Sequence, residues 1–379
     1  MKNQRLFLFV PLIGMMLLTA VSCKKKPTNP DDEEDPGYTV LIADTVACGY
    51  TASVMLRPDG RGKGFGVLGG LFDNSTEFKQ IVAGGASVYG LKHDGTVVAA
   101  GSNTHGQLGD STTTNSFALI QVHDLTNVVE ISAGLSHCLA LRSDGTVWAW
   151  GNNHLGQVGD TAVDFFSEPV QVQGLSNVAD LSAGHLHNLA LKYDGTVWCW
   201  GSNAYGMAGQ APPISILVTP MQVAGLSNIK LIAGGSLHSM AVTQSGELYT
   251  WGSDDHDALG FFAGTHSEIP LLQSQMGTVT SIAAGEAYSL VVRNDGKIIS
   301  WGANLYGQTG IGSTSYSSSP TVLANLSKDI RQVAAGADFS FAIATDGSVY
   351  AWGDNANGVL GPNFTFGNYA VSPTLVEDN

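Results

Sequence analysis

The chain has 379 residues, of which 47 are glycine and seven are tryptophan, and only 13% are charged while 44% are hydrophobic. This much apolar surface excludes a disordered chain, and the composition favours short strands with tight turns over long helices. The formal net charge of −15 disfavours a nucleic-acid partner, because phosphate binding requires a basic surface.

Residues 1–22 have the pattern of an export signal. Lys2 and Arg5 precede an apolar stretch, residues 6–20, which is short for a transmembrane helix. The small residues before Cys23 resemble the lipobox of bacterial lipoproteins, although alanine stands where these proteins usually have leucine. The resemblance implies cleavage before Cys23 and lipidation of that residue, with an ordinary signal peptide as the alternative.

Residues 23–37 are predicted to form a flexible tether. From Lys24 to Gly37 the segment contains three prolines and no apolar side chain, so it has nothing to bury. Its lysines follow Cys23 directly, where they would lie beside anionic lipid headgroups. The expected location is therefore the cell envelope, lipid-anchored in the outer membrane of a Gram-negative bacterium, with the membrane face left open.

Residues 38–379 contain seven copies of one unit. Successive copies are 50 or 51 residues apart, except that the first two are separated by 35. A fixed period of this kind identifies a repeat architecture. The shared glycines that align the copies are Gly49, Gly84, Gly134, Gly184, Gly235, Gly285 and Gly336.

Each copy has the pattern of a small antiparallel sheet. Residues 137–141 predict a strand, Asp144-Gly145 a tight turn, and residues 146–150 a returning strand. A third strand is predicted after Pro169, and a short fourth strand runs into the next Ala-Gly pair. Such a sheet cannot bury its own faces, so we expect an all-β propeller of seven four-stranded blades.

Large and small side chains alternate along the returning strand. Trp148 and Trp150 fall on one face, whereas Val147 and Ala149 fall on the other. This periodicity predicts that the aromatic side chains pack between neighbouring sheets, in preference to forming a platform for a ligand.

Three motifs recur in order: A-G-x-x-H-x-L-A-L, D-G-x-V-x-x-W-G and N-x-x-G-Q-x-G. They resemble the regulator-of-chromosome-condensation repeat, and the resemblance covers residues 38–379. It implies a seven-bladed propeller closed by both ends of the chain, here residues 38–42 and 372–376. The first copy lacks about 15 residues, including N-x-x-G-Q-x-G, so its blade is predicted to be truncated.

No catalytic motif is recognisable in the repeats, and no cofactor or metal is expected. The founding family member is a nucleotide-exchange factor that uses an inserted hairpin, for which the regular spacing here leaves no room. His137, His187 and His238 occupy equivalent positions, but other copies hold different residues there, which favours a structural hydrogen bond over a ligand role. The acidic run 254–257 lacks the spacing of a calcium loop, which favours a solvated turn over a cation site.

Three further cysteines, Cys48, Cys138 and Cys199, lack the spacing of metal ligands. Other copies have small residues at the positions of Cys48 and Cys199. Packing of a small side chain is therefore the favoured interpretation, and their redox state is left open.

The segments between Trp-Gly and the proline-led strand differ from copy to copy. Equivalent segments of a propeller share one end of the disc, so they are predicted to form a recognition surface, although each side chain could equally seal a blade end. The candidate binding residues are Phe165, Phe166, Ile216, Phe261, Phe262, Tyr316, Phe364, Phe366 and Tyr369.

The function expected from this surface is that of a monomeric, non-enzymatic scaffold that binds an envelope or extracellular protein. A glycan-binding propeller that recognises polysaccharide is the alternative, and a hydrolytic enzyme with an unrecognised site is a third option. The differences in loop composition favour a protein partner, since a lectin would repeat similar pockets.

Overall fold

The computed structural model describes residues 39–73, 78–161, 163–261, 264–324 and 326–378. The predicted signal, the tether and Cys23 lie outside the described residues, and so does Phe262. Within the described parts of the chain, 27 strands form seven antiparallel sheets in strict chain order. The predicted all-β architecture of seven blades is confirmed.

The strands group as follows. The first blade contains β1 (Thr45–Cys48), β2 (Ala52–Leu56) and β3 (Gly62–Gly66), and the second contains β4 (Phe78–Ala83), β5 (Ser87–Lys92), β6 (Val97–Gly101) and β7 (Ser116–Gln121). The third contains β8 (Val128–Ala133), β9 (His137–Arg142), β10 (Val147–Asn152) and β11 (Phe165–Gln171). The fourth contains β12 (Val178–Ala183), β13 (His187–Lys192), β14 (Val197–Ser202) and β15 (Ile216–Gln222).

The fifth blade contains β16 (Ile229–Gly234), β17 (His238–Thr243), β18 (Leu248–Ser253) and β19 (His266–Leu272). The sixth contains β20 (Val279–Ala284), β21 (Tyr288–Arg293), β22 (Ile298–Asn304) and β23 (Ser315–Val322). The seventh contains β24 (Ile330–Ala335), β25 (Phe339–Ala344), β26 (Val349–Asp354) and β27 (Tyr369–Leu375). Short 3₁₀ turns occur at Gly69–Leu71 and Asp255–Asp257.

The strand that precedes each Ala-Gly pair begins a blade and does not end one. β12 pairs with β13 across the turn at Gly184, so it belongs to the fourth blade and not to the unit before it. The sequence reading placed this strand at the end of the unit. The tight turn after Ala-Gly joins the two strands as a hairpin, which fixes the assignment.

The outer strand of each blade is longer than predicted. β11 begins at Phe165, four residues before Pro169, whereas the sequence predicted a strand that follows the proline. The ladder between β10 and β11 shifts register between Ala149 and Gly151, so Pro169 lies within a bulge. Proline is tolerated there because the bulge does not require its missing N–H.

The first blade lacks a fourth strand, as predicted. Residues 67–73 cover the outer edge of β3: Gly62 forms a bridge with Asp73, and the Gly64 N–H donates to the Asp73 carboxylate at 3.3 Å. Leu68 and Phe72 of this segment are buried. A short apolar connector thus takes the place of the missing strand.

Both ends of the described chain meet in the seventh blade. The Leu41 N–H donates to the Val376 carbonyl at 3.0 Å, and the Leu41 carbonyl accepts from the Val349 N–H at 3.3 Å. Val40 also forms an antiparallel bridge with Glu377. The predicted closure by both termini is present, although residues 40–43 contribute only isolated bridges.

Buried tryptophans join the third to seventh blades each to the blade before it. The indole N–H of Trp150 donates to the Gln107 carbonyl at 2.8 Å, and the ring is fully buried. The same bond, between 2.8 and 3.0 Å, links Trp200 to Gln157, Trp251 to Met207, Trp301 to Ala258 and Trp352 to Gln308. The prediction that this aromatic stripe packs between sheets is confirmed, while Trp148, two residues earlier, is only half-buried under Arg142.

The strand order defines two ends of the disc. The first and third strands of a blade run in the same direction, so the turn after the first strand and the connector after the third lie at one end, the loop face. The Asp-Gly turns and the connectors between blades lie at the other end, the turn face. Gly145 has a φ of 80° in such a turn, which is why glycine follows aspartate there.

Candidate functional site

The loop face is organised by a buried asparagine at the start of five of the six long connectors. The Asn153 side-chain carbonyl accepts from the Val158 N–H at 2.9 Å, and its amide donates to the carbonyls of Asp160 and Val163 at 2.8 Å. Equivalent asparagines are Asn103, Asn203, Asn304 and Asn355. Sequence reasoning treated this residue only as part of a family motif, and its recurrence was the signal that it holds the connector in shape.

The predicted binding residues occupy two kinds of position. Phe165, Ile216, Tyr316 and Tyr369 are exposed but belong to the first residues of outer strands, because these strands begin earlier than expected. Phe166 is half-buried at the second position of β11 and packs against the core.

The remaining candidates lie in the connectors themselves. Phe366 is 74% exposed and Phe261 is 48% exposed, whereas Phe364 is half-buried against the core of the seventh blade. The structure therefore brings exposed large side chains to the connectors and to the adjoining strand starts, while Phe166 and Phe364 help to seal blade ends.

The three equivalent histidines are structural. His137 lies in hydrogen-bond contact with Asn188 at 2.7 Å, His187 with Ser239 at 2.8 Å and His238 with Ser289 at 3.0 Å, each through Nε2 to the next blade. Burial is the main cause that lowers the pKa of His137 to about 4 and that of His187 to about 3. These rings are neutral near pH 7, and the predicted structural hydrogen bond is confirmed.

Alanine and glycine line the axial channel, and their small size lets neighbouring blades approach each other closely there. A Cβ at Gly84 would lie 2.5 Å from the Gly134 carbonyl, so this close approach of neighbouring blades requires glycine. Tyr50 and His185 meet across the channel, with the hydroxyl 3.4 Å from Nδ1 and the ring centroids 5.0 Å apart. Two aromatic rings thus cross the channel.

Cys48 and Cys199, for which packing of a small side chain is predicted, carry free thiols, and so does Cys138. Cys138 and Cys199 are fully buried in β9 and β14, and Cys48 is half-buried beside the channel. Burial raises the pKa of all three thiols, so they are protonated at neutral pH. Their position agrees with a packing role.

The connector of the fifth blade departs from the others because Asp254 stands in the place of the asparagine. Its carboxylate accepts from the Leu259 N–H at 2.9 Å, as the asparagines do, but it has no amide to donate across the connector. Burial raises the pKa of Asp254 to about 6. The sequence reading of residues 254–257 as a solvated turn holds for the exposed Asp255 and Asp257, but Asp254 is buried.

The same connector presents an aromatic stack to solvent. The His256 ring stacks on Tyr316 of the sixth blade with centroids 4.3 Å apart, and the Ser317 hydroxyl donates to the Asp257 carboxylate at 2.6 Å. In the part of the chain that the structure describes, no group of three or more His, Cys, Asp or Glu residues is arranged to hold a metal ion.

A cavity of about 250 Å³ opens on the loop face between the fifth, sixth and seventh blades. Its acidic lining comes from Asp255, Glu286 and Asp338, and its apolar walls include Leu305 and Tyr306. A shallower depression continues it along the fifth connector as far as Tyr205 and Tyr316. Sequence reasoning did not identify this cavity, since its lining residues come from turns and connectors of three different copies.

Charge is divided between the two ends of the disc. Among the described residues, every Lys and Arg lies at the turn face or in the half of a blade next to it: Arg57, Arg61, Lys63, Lys79, Lys92, Arg142, Lys192, Lys230, Arg293, Lys297, Lys328 and Arg331. Many pair with carboxylates there, as Lys328 does with Asp346 at 2.7 Å. The carboxylates around the cavity have only histidine as a basic neighbour, such as His256 beside Asp255.

Within the described residues, no helix is long and apolar enough to cross a membrane.

Comparison with curated proteins gives partial matches. The chain is 30% identical over 135 residues to human E3 ubiquitin-protein ligase HERC2, which covers 34% of this chain and 3% of the ligase. It is 28% identical over 164 residues to Protein pim1 of Schizosaccharomyces pombe, which covers 43% of this chain and 23% of pim1. The chain thus spans less than a quarter of either relative's length.

Solved structures with the same architecture include Prp20p from Saccharomyces cerevisiae, with 25% identity and a TM-score of 0.70, over 80% of this chain and 77% of that one. Human WBSCR16 matches with 20% identity and a TM-score of 0.71, over 80% of this chain and 87% of that one. A family profile described as the RCC1-like domain matches residues 67–379, which begins just after β3 of the shortened blade. The chain therefore belongs to the family of RCC1-like domains, the regulator-of-chromosome-condensation propellers.

Proposed function

We propose that this chain is a non-enzymatic scaffold that binds a protein through its loop face. The observation that carries the proposal is the contrast between a rigid frame and a divergent rim. Five buried Trp–carbonyl bonds lock successive blades together, while large side chains that differ from blade to blade stand exposed at one end. Recognition residues are commonly carried by loops on a rigid scaffold in this way.

A protein partner fits this rim better than a glycan. Exposed aromatic residues are enriched in protein interfaces, where they anchor a few strong contacts. Phe366, Tyr316 and Phe165 belong to different blades and have different neighbours, so they do not form one repeated sugar pocket. The solved relative Prp20p is described as binding Gsp1p and histones, which supports a protein partner for this architecture.

The envelope location is part of the proposal. An export signal, a lipobox-like sequence at Cys23 and a charged tether would place the propeller at a bacterial membrane surface, most simply the outer membrane. The partner would then be a protein of the envelope or of the extracellular space.

Site-specific photo-crosslinking tests the choice of face. A benzoylphenylalanine replaces Tyr316, which is 66% exposed on the loop-face side, or Tyr193, which is 79% exposed beside an Asp-Gly turn. We expect a discrete crosslinked protein in intact cells from position 316 and none from position 193. The matched tyrosines control for exposure and for the chemistry of the probe.

The opposite pattern, with adducts only at Tyr193, would refute a loop-face interface. Absence of protein adducts at both positions, together with binding of the purified chain to a polysaccharide array, would favour the glycan-binding alternative. Replacing Phe165 and Phe261 by alanine would then abolish the array signal.

A further inference from the structure

We infer that the cavity between the fifth, sixth and seventh blades receives an arginine or lysine side chain from a basic segment of the partner protein. This inference rests on the proposed function and specifies the chemistry of the partner at one place on the loop face.

The cavity has the size and walls for a single long cationic side chain. Its volume of about 250 Å³ is at the lower limit of small-molecule pockets, so it accommodates one side chain better than an extended ligand. Tyr306 and Leu305 are both exposed at its rim and offer apolar contact to the methylene stem. A tyrosine ring also attracts a cation that lies over its face.

The polar lining of the cavity is acidic. Asp255, Glu286 and Asp338 approach it from a connector of the fifth blade and from the first turns of the sixth and seventh blades. Gln308 fixes the orientation of Asp338 by donating its amide to one carboxylate oxygen at 2.7 Å. Carboxylates that are held in place in this way favour charge-assisted hydrogen bonds with a guanidinium or ammonium group.

Among the described residues, the carboxylates of the cavity have no Lys or Arg neighbour, and His256 beside Asp255 is the basic side chain next to them. Burial raises the pKa of Asp338 to about 6, and the nearby carboxylates Glu286 and Asp354 add to this rise. The Gln308 hydrogen bond and His256 act in the opposite direction but do not cancel it. Every described Lys and Arg lies toward the opposite end of the disc. A cation from a partner protein would therefore reduce the repulsion between the carboxylates of the cavity.

The depression along the fifth connector extends the surface beyond the cavity. It shares Leu237, Ser253, Asp255 and His256 with the cavity and continues to Tyr316. A basic segment whose side chain enters the cavity would thus continue across the His256–Tyr316 stack. The two depressions together favour an extended peptide segment over an isolated small amine.

Fluorescence anisotropy with defined peptides tests the inference. The probe is a fluorescein-labelled acetyl-(Gly-Arg)₄ peptide, titrated with the detergent-purified full chain at low salt, and the control probe is acetyl-(Gly-Glu)₄. We expect binding of the basic peptide only, and an affinity at least fivefold lower for Asp338→Asn, which keeps an oxygen for the Gln308 amide.

The matched control is Asp124→Asn, which removes one carboxylate from the turn face. Asp124 is 90% exposed and has a φ of 48°, a conformation that asparagine also tolerates, so the variant should fold normally. We expect its affinity to change by less than twofold. Ala287→Leu, which fills the cavity without changing charge, should weaken binding as Asp338→Asn does.

Equal effects of Asp338→Asn and Asp124→Asn would overturn the inference, because the attraction would then be a diffuse effect of net charge. Unchanged binding in both Asp338→Asn and Ala287→Leu, with both variants folded by circular dichroism, would overturn it as well. The proposed function would survive either result if Tyr316 still crosslinks a protein. Conversely, loss of crosslinking only at Tyr316 in Asp338→Asn cells would support the inference in the natural complex.

Discussion

Replacing Asp254 by asparagine should stabilise the protein, because it restores the residue that organises the connector in five other blades. By analogy with Asn153, the new amide would face the carbonyls of Phe261 and Gly264, seven and ten residues further on. Its side-chain oxygen would keep the bond from the Leu259 N–H. The variant therefore adds donors without removing the existing acceptor.

The expected gain in the free energy of unfolding has two contributions. Each new hydrogen bond is worth about 1 kcal/mol net. The pKa of Asp254 rises from 3.8 to about 6 on folding, and each pKa unit corresponds to about 1.4 kcal/mol, although solvent at the connector reduces this cost. Two new bonds contribute about 2 kcal/mol and the removed ionisation penalty, reduced by solvent, about 1 kcal/mol more, so we expect Asp254→Asn to raise the free energy of unfolding by about 3 kcal/mol at pH 7.5.

The pH dependence separates the two contributions. A carboxyl group whose folded pKa is raised destabilises the fold once it ionises, so the penalty is absent below pH 4 and complete above pH 6. The gain from Asp254→Asn should therefore be larger at pH 7.5 than at pH 4. Thermal unfolding at both pH values, with an expected rise of a few degrees at pH 7.5, measures this.

The control for this prediction is Asp255→Asn, which changes an exposed carboxylate in the same connector. It should leave the melting temperature within a degree of the wild type. A loss of stability in Asp254→Asn at pH 7.5, or a gain that is identical at both pH values, would refute the reasoning about this connector.

Three further predictions follow from the same contacts. Trp200→Phe should lower the free energy of unfolding by about 1–3 kcal/mol in urea titrations, because a buried indole loses its bond to the preceding blade. Trp198→Phe, at a half-buried position, should cost less than half as much. Binding of the arginine peptide should weaken several-fold between pH 7 and pH 5, because Asp338 becomes neutral below its pKa of about 6. The groups around Asp338 are Glu286, Asp354, Gln308 and His256. Unchanged affinity across this pH range would argue against a role of Asp338 in binding the peptide. Cys23→Ser should move the chain from the detergent phase to the aqueous phase on detergent partitioning, because the lipid anchor is lost. A variant that stays in the detergent phase would argue against lipidation of Cys23.

The architecture was readable from the sequence because the repeats carry the physical signals of a propeller. The 50-residue period reflects contacts that recur in space, such as Trp150 with Gln107. The glycine of the Asp-Gly turns and the tryptophan in five of the seven returning strands are further signals of this kind. The shortened first blade was also predictable, since the missing residues are those of a connector and an outer strand.

The details that sequence reasoning missed depend on contacts between copies. Pro169 was read as the start of a strand, but the bulge that accommodates it is defined only by the partner strand β10. Consequently the sequence predicts loops at Phe165, Ile216 and Tyr316, whereas Phe165 and Ile216 begin outer strands and Tyr316 is the second residue of one. A proline limits which backbone groups pair, and it does not by itself locate the end of a strand.

The cavity could not be predicted because Asp255, Glu286 and Asp338 are separated in the chain and meet only where three blades converge. The concentration of basic residues at one end of the disc, by contrast, can be read from the sequence. Arg142 and Lys192 stand beside Asp-Gly turns, whereas Lys230 and Arg331 are the second residues of first strands, which begin at the same end of the disc. Mapping each charged residue onto its position in the repeat would have revealed the two ends of the disc.

Hydrogen–deuterium exchange of the chain with and without its crosslinked partner tests the central claim most directly. The account predicts that the partner slows amide exchange in connectors of the loop face, such as residues 255–261 and 305–308, and leaves the turns around Gly145 and Gly195 unchanged. Protection confined to those Asp-Gly turns would show that the partner binds the opposite end of the disc and would contradict the account.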